Sequence, residues 1–166
     1  MKPEDEADFV AFVTASSPRL LHLAWLSCGD PHLAQELVQE TFERVYVRWG
    51  RVGSDNPLAY SRRVLMNLRT DRWRRRRKET LSSDGAVPES AVGADEHRRA
   101  EDRDLLVRLL RDLPPRERQI VVLRHYDDMS EREVAEALGV SLGTVKSSAS
   151  RGLATMRAAL TQIQEV

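Results

Sequence analysis

Cysteine occurs once in these 166 residues, histidine four times and glycine eight times. Each scarcity closes a class of function. Cys28 alone cannot form an internal disulfide, and His22, His32, His97 and His125 are too scattered to make a ligand set at zinc spacing. Cys28 reads as a small buried apolar side chain. No glycine-rich loop is built to cradle a phosphate, and the histidines and Cys28 offer no catalytic constellation, so the chain reads as no enzyme, with no cofactor and no metal. No apolar run approaches the span of a bilayer, and the N-terminus MKPEDEADF is acidic where a signal peptide is basic. The expected location is the cytoplasm, without membrane insertion. Alternation with period two is missing over any useful length, which argues against a sheet and leaves an all-α fold.

An excess of charge of one sign is lacking too, with 26 acids against 26 bases, yet the charge is sorted along the chain. Residues 1–43 carry eight acids and two bases, residues 60–78 nine bases and one acid, and residues 79–104 eight acids and three bases. The zero average hides a cationic block. Phe9, Phe12 and Val13 suggest a first helix ending before Pro18, and Leu20, Leu21, Leu23 and Trp25 a second ending near Gly29. Asp30 caps a third, with Pro31 at its first position, running to about Arg48. After Trp49 and the loop GRVGSDN, Pro57 opens a fourth helix that finishes in WRRRRK. Residues 79–97 turn to Ser, Gly, Ala, Pro and acids with almost no large apolar side chain, the composition of a flexible linker. A helix over roughly 100–112 and another from Arg116 to about Tyr126 follow. The expected organisation is two small helical domains, residues 1–78 and 100–166, joined by a flexible acidic linker over 79–99.

The most telling stretch is LPPRERQIVVLRHYDDMSEREVAEALGVSLGTVKSSASRGLATM, residues 113–156. Ser130 and Glu133 stand at the spacing of a capping box, which starts a helix. Val134, Ala135 and Leu138 give it one apolar face, and Gly139 can take the left-handed conformation that ends it. Ser141 caps the next helix, in which Val145, Ala149, Leu153 and Met156 form a buried stripe. Thr144, Lys146, Ser147, Ser150 and Arg151 then lie near the outward side. Gly143 in the first turn permits close approach of backbone to a phosphate. Two short capped helices joined at a glycine, the second basic, make a helix-turn-helix whose second helix suits a DNA groove.

The fourth helix carries a second cationic face. With Leu58, Ser61, Leu65 and Leu68 inward, Arg63, Asn67, Asp71 and Arg74 share the opposite side, and Arg75, Arg76, Arg77 and Lys78 close the last turn. A cationic helix with an amide on one face can read DNA. Trp49, Trp73 and Tyr60 nearby either stack on unpaired bases or belong to the core.

The order of these pieces resembles the extracytoplasmic-function group of sigma factors, the smallest members of the sigma-70 family. The resemblance rests on DPHLAQELVQETFERVYVRW, PLAYSRRVLMNLRTDRWRRRRK, LPPRERQIVVLRHYDDMSEREVAEALGVSLGTVKSSASRGLATMR and the acidic linker between the last two, so it covers nearly the whole chain. It implies core RNA polymerase as partner, through the clamp helices of β′ and the flap of β, and promoter DNA as ligand. Gln35, Glu36, Gln39, Glu40 and Glu43 would face polymerase. The loop from Gly50 to Asn56, with Asp55 and Asn56, would accept a flipped-out base. Arg63, Asn67 and Arg74, with Arg75, Arg76 and Arg77, would contact the −10 element. Thr144, Lys146, Ser147, Ser150 and Arg151 would contact the −35 element. The family often has arginine at the position of Ser148 and a bulky residue at that of Ser150, so the promoter sequence does not follow. The length leaves no room for the extra middle domain and the N-terminal autoinhibitory segment of housekeeping sigma factors, so the resemblance implies an anti-sigma protein as inhibitor and a free monomer. The alternative is a helix-turn-helix regulator that binds operator DNA as a dimer. It would leave the acidic third helix and the cationic fourth without a role.

Overall fold

The computed structural model describes residues 3–82 and 99–164. Among them are eight α-helices, one π-helical turn and no strand: α1 (Pro3–Cys28), α2 (Pro31–Val47), α3 (Trp49–Val52), α4 (Pro57–Ser82), α5 (Arg99–Arg111), α6 (Pro115–Val121), the π turn (Val122–Tyr126), α7 (Glu131–Leu138) and α8 (Leu142–Gln164). The all-α expectation holds, with three local corrections.

The first concerns α1, a single helix that runs through Pro18 where two were expected. A proline inside a helix costs about 3 kcal/mol, whereas each leucine fully buried beyond it returns about 1.5–3 kcal/mol. Leu20, Leu23 and Leu26 are at most 2% exposed, so tertiary packing wins. Upstream, Phe9 meets Tyr46 and Trp49 edge-on at 5.1 Å, which ties the N-terminal half of α1 to the α2–α3 side. The fused helix, Glu4–Cys28, is by length and composition apolar enough to cross a bilayer. The expectation that no stretch reaches that span is therefore corrected, although these leucines are spent on the core.

The second correction is the loop after Trp49. Trp49–Val52 forms one helical turn, with Trp49 only 6% exposed among Phe9 and Phe12. Trp49 is thus a core residue. A Cβ on Gly53 would stand 2.8 Å from the Trp49 ring, so the chain lies flat on the indole there. The third is the expected helix end near Tyr126, which widens into a π turn: the Asp127 N–H donates to Val122 O at 3.1 Å. One extra residue in that turn re-aims the carboxylate of Asp127 toward α1 and α4.

The capping signals act as expected. The Asp30 carboxylate accepts from the His32 and Leu33 amides at 2.9 and 3.2 Å. Ser130 and Glu133 complete a capping box, and Gly139 ends α7 at φ 63°. Ser141 Oγ accepts from the Thr144 amide at 3.1 Å. Residues 79–82 continue α4, and the rest of the expected linker, residues 83–98, lies outside the described residues.

The helices α1–α4 and α5–α8 share one hydrophobic core. Leu20, Leu23, Leu65 and Met66 of the first half belong to the same buried cluster as Val107, Leu110, Leu113, Ile120 and Leu123 of the second. Polar pairs cross the same seam. Asp127, 3% exposed, accepts from Arg19 Nε at 2.6 Å and pairs with Arg62. The Gln119 amide donates to Met66 O at 3.2 Å and to Thr70 Oγ1 at 3.0 Å. Arg69 is buried, with Nε donating to Ser27 O at 3.1 Å. Burial lowers its pKa from the ordinary guanidinium value, opposed by the nearby Cys28 sulfur. Cys28 is half-buried, and burial pushes its thiol up.

Candidate nucleic-acid interface

The outward side of α8 is built from the cap inward. Ser141 turns the chain into the helix and its hydroxyl pairs with that of Thr144 at 2.9 Å. Val145 is fully buried and, with Ala149, Leu153 and Met156, packs on the core, so Lys146, Ser147, Ser150 and Arg151 stand exposed. The stripe is wider than the periodicity suggested, because Ser148 and Gly152 are buried as well. Ser148 is 2% exposed, which puts the position where arginine is common in the family on the inward side. Two of the cations have acidic neighbours. Lys146 Nζ lies 3.8 Å from Glu131, and Arg151 Nε donates to Glu117 at 2.9 Å. Neither acid had a signal in the sequence, since each is brought in by packing.

On α4 the expected inward set is joined by Val64, Met66 and Arg69, because the helix is covered from two sides. Arg63, Asn67, Asp71 and Arg74 remain exposed. They do not form an open face. Arg63 Nη2 donates to Glu136 O, the end of α7, at 2.8 Å. Asn67 and Arg74 line a cleft of about 300 Å³ with Arg44, Arg116 and Leu138. Arg63 and Asn67 also line a second cleft with Arg48 and Tyr60, whose hydroxyl accepts from Arg48 Nη1 at 3.0 Å. Arg74, Arg75, Arg76 and Arg77 are exposed, and Arg77 lies 5.5 Å over the ring of the half-buried Trp73. Asp55 is exposed, while Asn56 Oδ1 caps α4 by accepting from the Ala59 amide at 3.0 Å.

The five candidate polymerase contacts on α2 separate into two groups. Gln35, Gln39 and Glu43 edge an open apolar groove of about 870 Å³ between α1 and α2, floored by Phe9, Leu21, Val38, Phe42 and Tyr46. Glu36 and Glu40 turn instead to Arg72 of α4, at 2.5 and 3.3 Å, and Glu40 also accepts from Arg44 at 2.7 Å. The hydrogen bond to Glu36, more than any other contact, raises the pKa of Arg72.

Residues 12–79, which span α2, α3 and most of α4, match the family description Sigma-70 region 2, and residues 103–156, which hold the helix-turn-helix, match Sigma-70, region 4. The RNA polymerase sigma-E factor of Streptomyces avermitilis is 41% identical over 152 residues, covering 90% of this chain and 83% of that protein. The chain belongs to the extracytoplasmic-function sigma factors of the sigma-70 family. The ECF RNA polymerase sigma factor SigW of Bacillus subtilis is similar to it at 26% identity, with 95% of this chain and 91% of SigW covered. Among solved structures, the sigma factor RpoE of Bartonella quintana, in complex with the anti-sigma factor NepR, superposes with a TM-score of 0.79 at 25% identity, covering 93% of this sigma factor and 97% of RpoE. CnrH, solved with the cytosolic domain of CnrY, shares the fold at a TM-score of 0.65.

Proposed function

We propose that this sigma factor recruits core RNA polymerase in the cytoplasm, docks α8 on a −35 element and holds melted −10 bases against α4, with no catalysis of its own. The observation that carries the reading is the recognition helix: capped by Ser141, pinned by Val145, and offering Lys146, Ser147, Ser150 and Arg151 to solvent within a region-4 match. A lysine or arginine can reach guanine acceptors or phosphates, and serine hydroxyls can bond either.

The α1–α2 groove is the polymerase surface in this reading. Apolar walls edged by Gln35, Gln39 and Glu43 suit an amphipathic basic helix such as a β′ clamp helix. The β flap is assigned to the second half. Residues 1–78 and 100–166 serve as the two working domains, separated when both are on polymerase. An anti-sigma protein is the expected inhibitor, as for RpoE with NepR. Run-off transcription with purified core polymerase on a promoter library tests the proposal. Transcripts that start only when the protein is added support it. A dimer in sedimentation that binds a palindrome without core polymerase would replace it with the operator-binding regulator.

A further inference from the structure

Arg151 is exposed at the centre of the recognition face, yet two of its donors are already engaged. Nε donates to Glu117 Oε1 at 2.9 Å and Nη2 to Ser148 Oγ at 3.3 Å. The side chain of Glu117 is 14% exposed against 62% for Arg151, so the anchor is sheltered and the cation is not. The two helices cannot slide at this level. Gly152 is buried, and a Cβ there would stand 2.7 Å from Val121 Cγ2 of α6, so α8 crosses α6 at minimal separation beside the ion pair.

A guanidinium presents five N–H donors in a planar fork. With Nε and one Nη2 hydrogen taken, the outer end of the fork is left, one free hydrogen on Nη2 and two on Nη1. That end makes the bidentate contact with O6 and N7 of guanine. We propose that Glu117 is a positioning residue for −35 recognition, fixing which edge of Arg151 meets the DNA and so the preference for guanine at one position. The inference rests on the −35 reading of α8 given above. An unanchored arginine would sample many rotamers and meet phosphates as readily as bases. The anchored one loses less freedom on binding and is aimed. The carboxylate also offsets part of its charge, which weakens sequence-independent attraction to phosphate and leaves base pairing to decide.

Holoenzyme reconstituted from core polymerase and the full chain is titrated onto promoters carrying each base pair in turn at every −35 position. Arg151→Ala should abolish the guanine preference at one position. Glu117→Met, which keeps the bulk against α8 but removes the acceptor, should reduce the same preference about tenfold and leave −10 preferences unchanged. Glu117→Gln, whose amide oxygen still accepts from Nε, should restore most of it. If Arg151→Ala leaves every −35 preference intact, the −35 reading and the inference fall together. If Arg151→Ala loses the preference while Glu117→Met keeps it and lowers only the melting temperature, Glu117 is a structural partner and the inference alone is wrong. Uniform weakening across all promoters by Glu117→Met would overturn it equally.

Discussion

Arg63 donates from Nη2 to the backbone oxygen of Glu136 at 2.8 Å, so a side chain assigned to the −10 element caps the first helix of the motif assigned to the −35 element. A cation at a helix C-terminus is favourable, because the last carbonyls carry partial negative charge. The same hydrogens cannot serve a DNA strand. On the proposed function, one Nη2 hydrogen of Arg63 is already taken in this arrangement, and full use of its fork on a −10 strand would require the two halves to part.

Asp127 is where that parting can be tested. Its carboxylate is buried between Arg19 and Arg62, and the Arg62 side chain is only 12% exposed. Removing one partner of a buried ion pair costs about 3–5 kcal/mol, because the other charge is left without compensation. Asp127→Asn should therefore loosen the seam, raising the radius of gyration in small-angle scattering and strengthening promoter binding by the free chain. A variant as compact as the parent and equally poor at binding DNA would show that Asp127 does not hold the halves together.

What the sequence made legible follows from how far each cause reaches. Asp30, Ser130, Gly139 and Ser141 act within three or four residues, through caps and a left-handed turn, and each acts where its pattern indicates. Pro18 misled, because its local cost is overridden by leucines that meet partners outside α1. Of the set expected outward on α8, Lys146, Ser147, Ser150 and Arg151 are exposed as period 3.6 indicates, whereas Thr144 is half-buried. The acidic neighbours of that set were not readable: Glu117 lies 34 residues before Arg151 and reaches it only once α6 and α8 pack. The same holds for Arg19 and Asp127, 108 residues apart, joined by a π turn that no periodicity announced.

Gly152 makes a prediction opposite in sign to helix propensity. Alanine should gain roughly 1 kcal/mol from propensity inside a helix. Its Cβ would sit 2.7 Å from Val121 Cγ2, and Val121 is β-branched and 4% exposed, so it cannot swing aside freely. Overpacking of this kind costs about 1–3 kcal/mol, and the net effect of Gly152→Ala should be a loss of stability. Val121→Ala in the same chain should recover part of it. Denaturant melts of the two single variants and the double variant decide, and simple additivity would refute the contact.

The capping box gives a pH dependence with a definite sign. Hydrogen bonds from the side chain and then the backbone of Ser130 lower the pKa of Glu133. A carboxylate whose folded pKa lies below its unfolded value adds stability above the unfolded pKa, and that stability disappears as pH falls through the folded one. Glu133 should thus titrate below the ordinary glutamate range by NMR. Ser130→Ala, which removes the hydroxyl and keeps the backbone amide, should move it part of the way back toward that range and reduce its share of the acid-side loss. An unchanged titration in Ser130→Ala would mean that the box is not what holds the charge.

The last prediction separates two chemical jobs on α4. Arg75, Arg76 and Arg77 are exposed at successive positions, so their side chains point to several sides and suit phosphates. Asn67 is exposed mid-helix and offers a donor and an acceptor from one amide, the pairing suited to a base edge. Neutralising the three arginines should weaken holoenzyme binding on every promoter and flatten its salt dependence, by roughly 0.7 to 0.9 in slope for each phosphate that is no longer neutralised. Asn67→Ala should leave the slope nearly unchanged, because an uncharged amide releases no counterion, and should impair discrimination among −10 sequences. The measurement is binding to parent and −10-substituted promoters across a salt series. If Asn67→Ala moved only the slope, or the arginine variant failed on only one promoter class, the two roles on this helix would have to be exchanged.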